Sequence, residues 1–465
     1  MLRISLSPTG ITVGSRDIHY AWVIVGVASA LWTTSSAIRF AVPLLVSSFE
    51  SDFGWSYGFI AFAFTLQWIL SGLSAPLVGW LSDRYGVRRL LYVGAVLFII
   101  GMLLTGTMTE LWQFWLYFGL IMGGSMAIFQ VSLVAGVPLW FKTKLGLAMG
   151  TVQALQGIGT ALLILVIYLL FTYLGLKWTF WIPGIVGGAI LLLGIRYFHN
   201  EPAEIGIRPF GASDDEPIRS LQNNETAKIR TRIFQRQAQK TGAFWNLIGI
   251  HFWGCAGHMI ILLFLIAMIE DTGLSRGMAV AIYLAMNVAS TVTRFVVPVA
   301  ADNFGSKGVM GASFVLQTLP VLILMPFAPQ SVWLFFIFAV LYGVGMGGEM
   351  TAFPIINRQY YGDAPTGTTY GYQSLGGGLG MALGPLIGGF LWTLMGVYWP
   401  ALVLSFVLSM VGVVSIYFLP TTSRHQVPDW EEDLPREIRS SAIRSRSPGG
   451  LAPSPDPTGG DGGGS

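Results

Sequence analysis

Twelve apolar stretches, each long enough to cross a bilayer, constrain this chain more than any other feature. They fall at roughly 20–46, 56–81, 90–108, 112–137, 145–172, 178–198, 243–269, 277–301, 309–328, 331–354, 367–395 and 398–419. About 20 helical residues span the hydrocarbon of a bilayer. A backbone in lipid must satisfy its own hydrogen bonds, which a helix does. The expected fold is therefore all-α and membrane-embedded. Composition agrees, because only 11% of residues are charged, against about 25% in soluble domains. A net charge of +3 gives no case for nucleic acid. The single cysteine, Cys255, excludes a disulfide; a Cys-based metal site, or any cofactor, is not expected. The first apolar stretch is too long for a signal-peptide core, and no small-residue cleavage site follows it.

Polar segments divide the chain. Residues 1–19 form a short polar lead, 20–198 hold six spans, 199–242 form a polar linker, and 243–419 hold six more. Residues 420–465 are rich in Pro, Gly, Ser and charge, a composition that cannot bury a core, so disorder is expected there. With the N-terminus inside, 22 of the 26 Lys and Arg fall on the cytoplasmic side. Short cytoplasmic loops collect such residues, which predicts N-in, C-in. The sequon at Asn224 would then be cytoplasmic and is discounted.

The two six-span halves repeat. Asp52-Phe53-Gly54-Trp55-Ser56-Tyr57-Gly58 recurs as Asp271-Thr272-Gly273-Leu274-Ser275-Arg276-Gly277, an offset of 219 residues (271 − 52). The same offset carries Asp83 onto Asp302, Gly86 onto Gly305 and Arg88 onto Lys307. Parallel repeats related by an axis along the membrane normal are one way to build a transporter.

Between the second and third spans lies Gly79-Trp80-Leu81-Ser82-Asp83-Arg84-Tyr85-Gly86-Val87-Arg88-Arg89. Gly79 lets two helices approach. Asp83 can accept hydrogen bonds from Arg or from a helix N-terminus. Arg84, Arg88 and Arg89 mark a cytoplasmic turn. The string resembles the loop between helices 2 and 3 of the major facilitator superfamily. That resemblance implies a twelve-helix fold of two six-helix bundles, working by alternating access. It implies that helices 1, 4, 7 and 10 line a central cavity, and that the loop, with Asp302 and Arg358, takes part in gating.

Few ionisable groups lie inside the spans, and each costs about 2.5–3.5 kcal/mol at the bilayer centre, so each is a functional candidate. They are Arg39, His251, His258, Arg294 and Glu349. Arg294 lies eight residues before Asp302 and Glu349 nine before Arg358, which places both about 12–14 Å from the inner surface. Two opposite charges at one depth can pair, so Arg294 is expected to bind a substrate carboxylate and Glu349 to carry a coupling proton or to release Arg294. The offset maps Arg39 onto His258, a cation opposite an imidazole. His251 lies seven residues earlier on the same face as His258 and is a third proton-coupling candidate. Gln130 is a polar candidate for the substrate site. No Walker A string exists, and Gly343–Gly348 matches a dinucleotide fingerprint only inside an apolar helix, so ATP drive and catalysis are not supported.

Three further strings narrow the resemblance: His19-Tyr20-Ala21-Trp22, Trp140 to Gly150, and Gly347-Gly348-Glu349-Met350. They are similar to bacterial members of the branch containing monocarboxylate transporters and oxalate/formate antiporters. The branch's substrate-binding arginine matches Arg294. Ser290 stands where eukaryotic monocarboxylate carriers have an acidic residue, and 367–395 has no Lys or Arg to match the antiporter's lysine. The expected function is a proton-coupled carrier of a small organic anion, a monocarboxylate, monomeric in a bacterial inner membrane. The alternatives are a proton/cation or drug efflux antiporter, which Glu349 would serve, and a membrane sensor that does not transport.

Overall fold

The computed structural model describes residues 4–435, apart from 8–9, 14–15, 42–44, 217, 219–224, 325–330 and 363. Asn224 and the tail beyond 435 therefore lie outside the described residues. The first half contains α1 (Tyr20–Ala41), α2 (Tyr57–Tyr85), α3 (Val87–Thr105) and α4 (Leu111–Trp140). The helical run Leu145–Tyr197 supplies α5 (145–174) and α6 (176–197). The second half contains α7 (Gly242–Glu270), α8 (Arg276–Phe304), α9 (Ser306–Leu324), α10 (Val332–Tyr361), α11 (Gly367–Met395) and α12 (Trp399–Tyr417). A small three-stranded antiparallel sheet, Ile4–Ser7, Gly10–Val13 and Arg16–His19, precedes α1.

The expected boundaries shift in two places. The first span ends at Ala41, and a separate short helix, Val46–Phe53, follows it. The fifth and sixth spans are not separated by a loop. They join at Gly175, whose φ of 77° breaks one helix and starts the next. A left-handed residue costs an L side chain about 1–2 kcal/mol, which glycine avoids.

The duplication read from sequence is carried by the backbone. Gly54 and Gly273, with φ of 67° and 86°, precede α2 and α8. Gly86 and Gly305, with φ of 86° and 84°, end those same helices. Ser275 caps α8 by accepting from the Met278 amide at 3.3 Å, and Ser56 holds the same extended backbone before α2. Punctuation by the same residue types at one offset gives two bundles of like design.

Large apolar side chains such as Leu162, Leu193, Val296 and Phe390 are exposed around the outside. A bilayer is the solvent in which such a surface is stable. The halves meet through α2 against α11 and α5 against α8. Small residues permit that approach. A Cβ on Gly79 would lie 2.3 Å from the Gly367 carbonyl oxygen, and one on Gly146 2.2 Å from that of Pro298.

The linker and the start of the tail are more structured than composition suggests. Helix Glu225–Ala238 packs Phe234 on Tyr361 and Trp430, at ring separations of 5.4 Å each. Trp430 is buried in a short turn, Trp430–Asp433, and Arg230 pairs with Glu431 at 2.8 Å. Disorder was expected from 420 onward. Over 420–435 the chain docks instead, because one buried indole supplies the apolar anchor that its composition otherwise lacks.

Candidate functional site

The buried carboxylate Glu349, on α10, faces α7. Its Oε2 lies 3.1 Å from His258 Nδ1, and both side chains are buried. Gly254, on the same helix as His258, makes room: a Cβ there would sit 2.0 Å from Glu349 Oε1. That Oε1 has no hydrogen-bond partner among the described residues. Cys255 Sγ, a ring nitrogen of His258 and a Glu349 oxygen all lie within 4.8 Å of one another. His251, one turn before Cys255, stacks on Phe353 at 4.1 Å and leaves Nδ1 unpartnered. The expected pairing of Glu349 with Arg294 is not present in this conformation. Equal depth would allow that pairing, but the orientation of α10 gives Glu349 to the histidine of its own half.

Arg39, on α1, does not meet His258 either; its partners lie in the first half. Its Nε donates to Gln67 Oε1 at 2.7 Å, and its guanidinium covers the Trp68 ring at 3.9 Å. Gln67 is held for this by its own amide, which donates to the Phe118 carbonyl at 3.0 Å. A neutral amide and an aromatic face reduce the burial cost of the cation without cancelling its charge. One terminal nitrogen, Nη2, stays buried and unpartnered.

Arg294, on α8, projects to the seam between halves. Its Nη1 lies 3.4 Å from the Gln153 carbonyl oxygen of α5, a long contact, and its Nε is buried without a partner among the described residues. Gly157 of α5 leaves the space the guanidinium occupies, since a Cβ there would be 3.3 Å from Nη1. Neither arginine is paired with a carboxylate among the described residues.

Between these groups lies a cavity of about 50 Å³. Trp32, Trp68, Gln130, Gln153, His251, Tyr370 and Ser374 contribute to its wall. Trp68 connects it to Arg39, Gln153 to Arg294, and His251 to the Glu349 pair. The volume is far below the roughly 300–1,000 Å³ of sites for drug-sized molecules. In this conformation it accommodates only a few heavy atoms.

The halves are closed at the linker end. Asp83 accepts from the Gly367 and Thr368 amides at 3.1 and 2.7 Å and from the Thr368 hydroxyl at 2.7 Å. Of the two partners open to it from sequence, Asp83 takes the helix N-terminus, that of α11. Its counterpart Asp302 accepts from the Gly146 amide at 2.8 Å, at the start of α5. Each aspartate thus docks on the first turn of a helix in the other half, where unsatisfied amides favour an anion.

A family model described as Major Facilitator Superfamily matches residues 21–299 and 248–449. The chain belongs to the major facilitator superfamily. Among solved structures, a proton:xylose symporter of the superfamily, XylE, shares the fold with a TM-score of 0.69 at 15% identity, over 87% of this chain and 96% of that one. The oxalate:formate antiporter of Oxalobacter formigenes is 21% identical over 375 residues, 78% of this chain and 84% of that protein. The aspyridones efflux protein of Emericella nidulans is 24% identical over 271 residues, 58% of this chain and 50% of that protein.

Membership in the superfamily makes this a transporter in a membrane, not an enzyme. Of the residues singled out in sequence, the structure brings together Glu349, His258 and His251, and places Gln130 on the cavity wall. Arg39 and Arg294 approach it from opposite halves. Gly79 and Asp83 form the seam, while Arg84 stacks near Trp80 at 5.0 Å. The Arg88 amide and side chain bind Asn200 and the Arg196 carbonyl at 2.8 and 2.9 Å. Arg358 donates to the Gly362 carbonyl oxygen at 2.7 Å. Arg89 is exposed. Trp68 and Cys255 were not singled out in sequence as site residues, and for Trp68 there was no signal.

Proposed function

We propose that this transporter carries a small organic anion, with monocarboxylates the leading class, and couples it to protons. The observation that carries the reading is two arginines, Arg39 buried and Arg294 partly buried, with no carboxylate partner among the described residues, beside a cavity too small for a large solute. A buried cation left with neutral partners is stabilised by whatever anion reaches it, and an arginine offers a carboxylate two parallel hydrogen bonds. Arg294 is the primary ligand, with Arg39, behind Trp68, as a fixed positive field. Gln130 offers a neutral polar contact. One relative, an oxalate:formate antiporter, exchanges carboxylates of the same kind.

Proton coupling falls to Glu349 with His258, and His251 connects them to the cavity. Protonating Glu349 removes the charge that holds His258, which loosens α10 from α7. In the N-in, C-in orientation the closed seam faces the cytoplasm, with the loop at Asp83 and its counterpart at Asp302 as the two gates. The membrane is then a bacterial plasma membrane and the working unit a monomer.

The efflux reading rests on a different observation, the unpartnered Glu349 Oε1, which a cationic solute would satisfy. Uptake into liposomes of purified protein decides between them. Acid outside should drive accumulation of labelled formate, lactate or a similar monocarboxylate, and each acid should compete with the others. Competition by organic cations and not by carboxylates overturns the anion reading, and absence of counterflow with any solute would leave a sensor.

A further inference from the structure

Helix α7 carries more chemistry than an apolar span needs. His251, Cys255 and His258 follow one another at spacings of four and three residues, which stacks them on one helix face. The facing helix α10 directs its buried acid at the same place. We propose that Cys255, His258 and Glu349 form a binding site for a borderline or soft divalent transition-metal ion, of which Zn²⁺ is the representative. The expectation of no Cys-based metal site rested on there being one cysteine. It overlooked that a mixed site needs only one, if a histidine and a carboxylate come from elsewhere.

Three observations support the site. First, the ligand atoms are close. A tetrahedral ion with bonds of about 2.0–2.3 Å holds its ligands roughly 3.3–3.6 Å apart. The His258 Nδ1 to Glu349 Oε2 distance of 3.1 Å is near that already, and Cys255 Sγ lies within 4.8 Å. Second, Glu349 Oε1 is buried and without a partner among the described residues, a defect that a cation removes. Third, the charges balance. On binding, the thiol releases its proton and the imidazole any second proton it holds. Thiolate and carboxylate then offset the two positive charges of the ion, as a buried site requires.

Three protein ligands leave a fourth position for water, so the ion would exchange rather than be locked in. His251 lines the cavity with Nδ1 unpartnered, which gives an entering ion a first ligand one helical turn from the site. The thiolate and imidazole disfavour Mg²⁺ and Ca²⁺, which prefer oxygen. Once bound, the ion bridges α7 and α10 and keeps them together.

The test uses Co²⁺ as a coloured substitute on the purified full chain in detergent, which requires no knowledge of the transported solute. One equivalent should bind and give near-ultraviolet thiolate-to-cobalt charge-transfer absorption, and Zn²⁺ should abolish it. Cys255→Ser should remove that band, and Glu349→Gln should weaken binding by at least ~10–100-fold, the loss found even for outer-shell changes at metal sites. Should Cys255→Ser fail to fold, capping Cys255 of the folded wild type with a small methanethiosulfonate must have the same effect. No band in the wild type, or a band that survives loss of the thiol, overturns the site. Neither outcome touches the anion reading, which is judged by uptake.

Discussion

The two halves share a scaffold and differ in what they place at its equivalent points. At the offset of 219 residues Arg39 corresponds to His258, and Gln130 to Glu349. In the first half the position holds a cation that stays charged, satisfied by an amide and an aromatic ring. In the second it holds an imidazole against a carboxylate. Two copies of one bundle thus differ at equivalent points, and the proposed function gives the first the fixed charge and the second the proton. A carrier that must bind an anion and also exchange a proton needs both properties, and dividing them between halves lets the conformational change act on their separation.

Four experiments sharpen or break that division. The largest effect is expected from Glu349→Gln, which should abolish accumulation driven by a pH gradient while solute counterflow persists. If gradient-driven uptake survives, the titrating role does not belong to the second half. Next, Arg294→Ala should weaken anion binding at least ~30-fold, the loss of about 2 kcal/mol or more expected when one partner of a buried charged pair is removed. Arg294→Lys should recover only part of it in a competition assay, because it keeps the charge and loses the fork.

The gates make the third comparison. Asp83 accepts three hydrogen bonds across the seam and Asp302 one among those resolved. With hydrogen bonds to charged groups worth about 1.5–3 kcal/mol, Asp83→Asn should shift the balance away from closure by roughly 2 kcal/mol, and Asp302→Asn by about half as much. Spin-label distances across the linker end would measure both shifts; equal shifts would mean that the gates are equivalent after all. The smallest effect belongs to Glu431→Gln, which removes the ion pair with Arg230. A loss of about 0.2–1 kcal/mol, shrinking in high salt, should appear as a small drop in Tm.

Orientation around each helix was poorly legible in the sequence. A fixed rise per residue put Arg294 and Glu349 at one expected level. Which neighbour each faces depends on helix rotation. Spans that are apolar on nearly every side carry no periodic signal for it, since lipid and protein neighbours both accept apolar residues. Hence Glu349 was assigned to Arg294 across the seam when His258 of its own half receives it. The turns were more legible because backbone geometry restricts them: Gly54, Gly86, Gly273 and Gly305 sit where φ is positive and a side chain would be strained. Tail docking was hidden because Trp430 is one residue in a segment whose average argues for disorder.

The loop-free corner at Gly175 has a mechanical consequence. Helix α5 bears on the opposite half through Gly146, Gly150 and Gly157, and at its far end passes into α6 through one residue. A slack connector would let α5 tilt while its neighbour stayed still. A one-residue elbow transmits the tilt instead, so the smallest piece of this bundle that can swing is a pair of rods moving together.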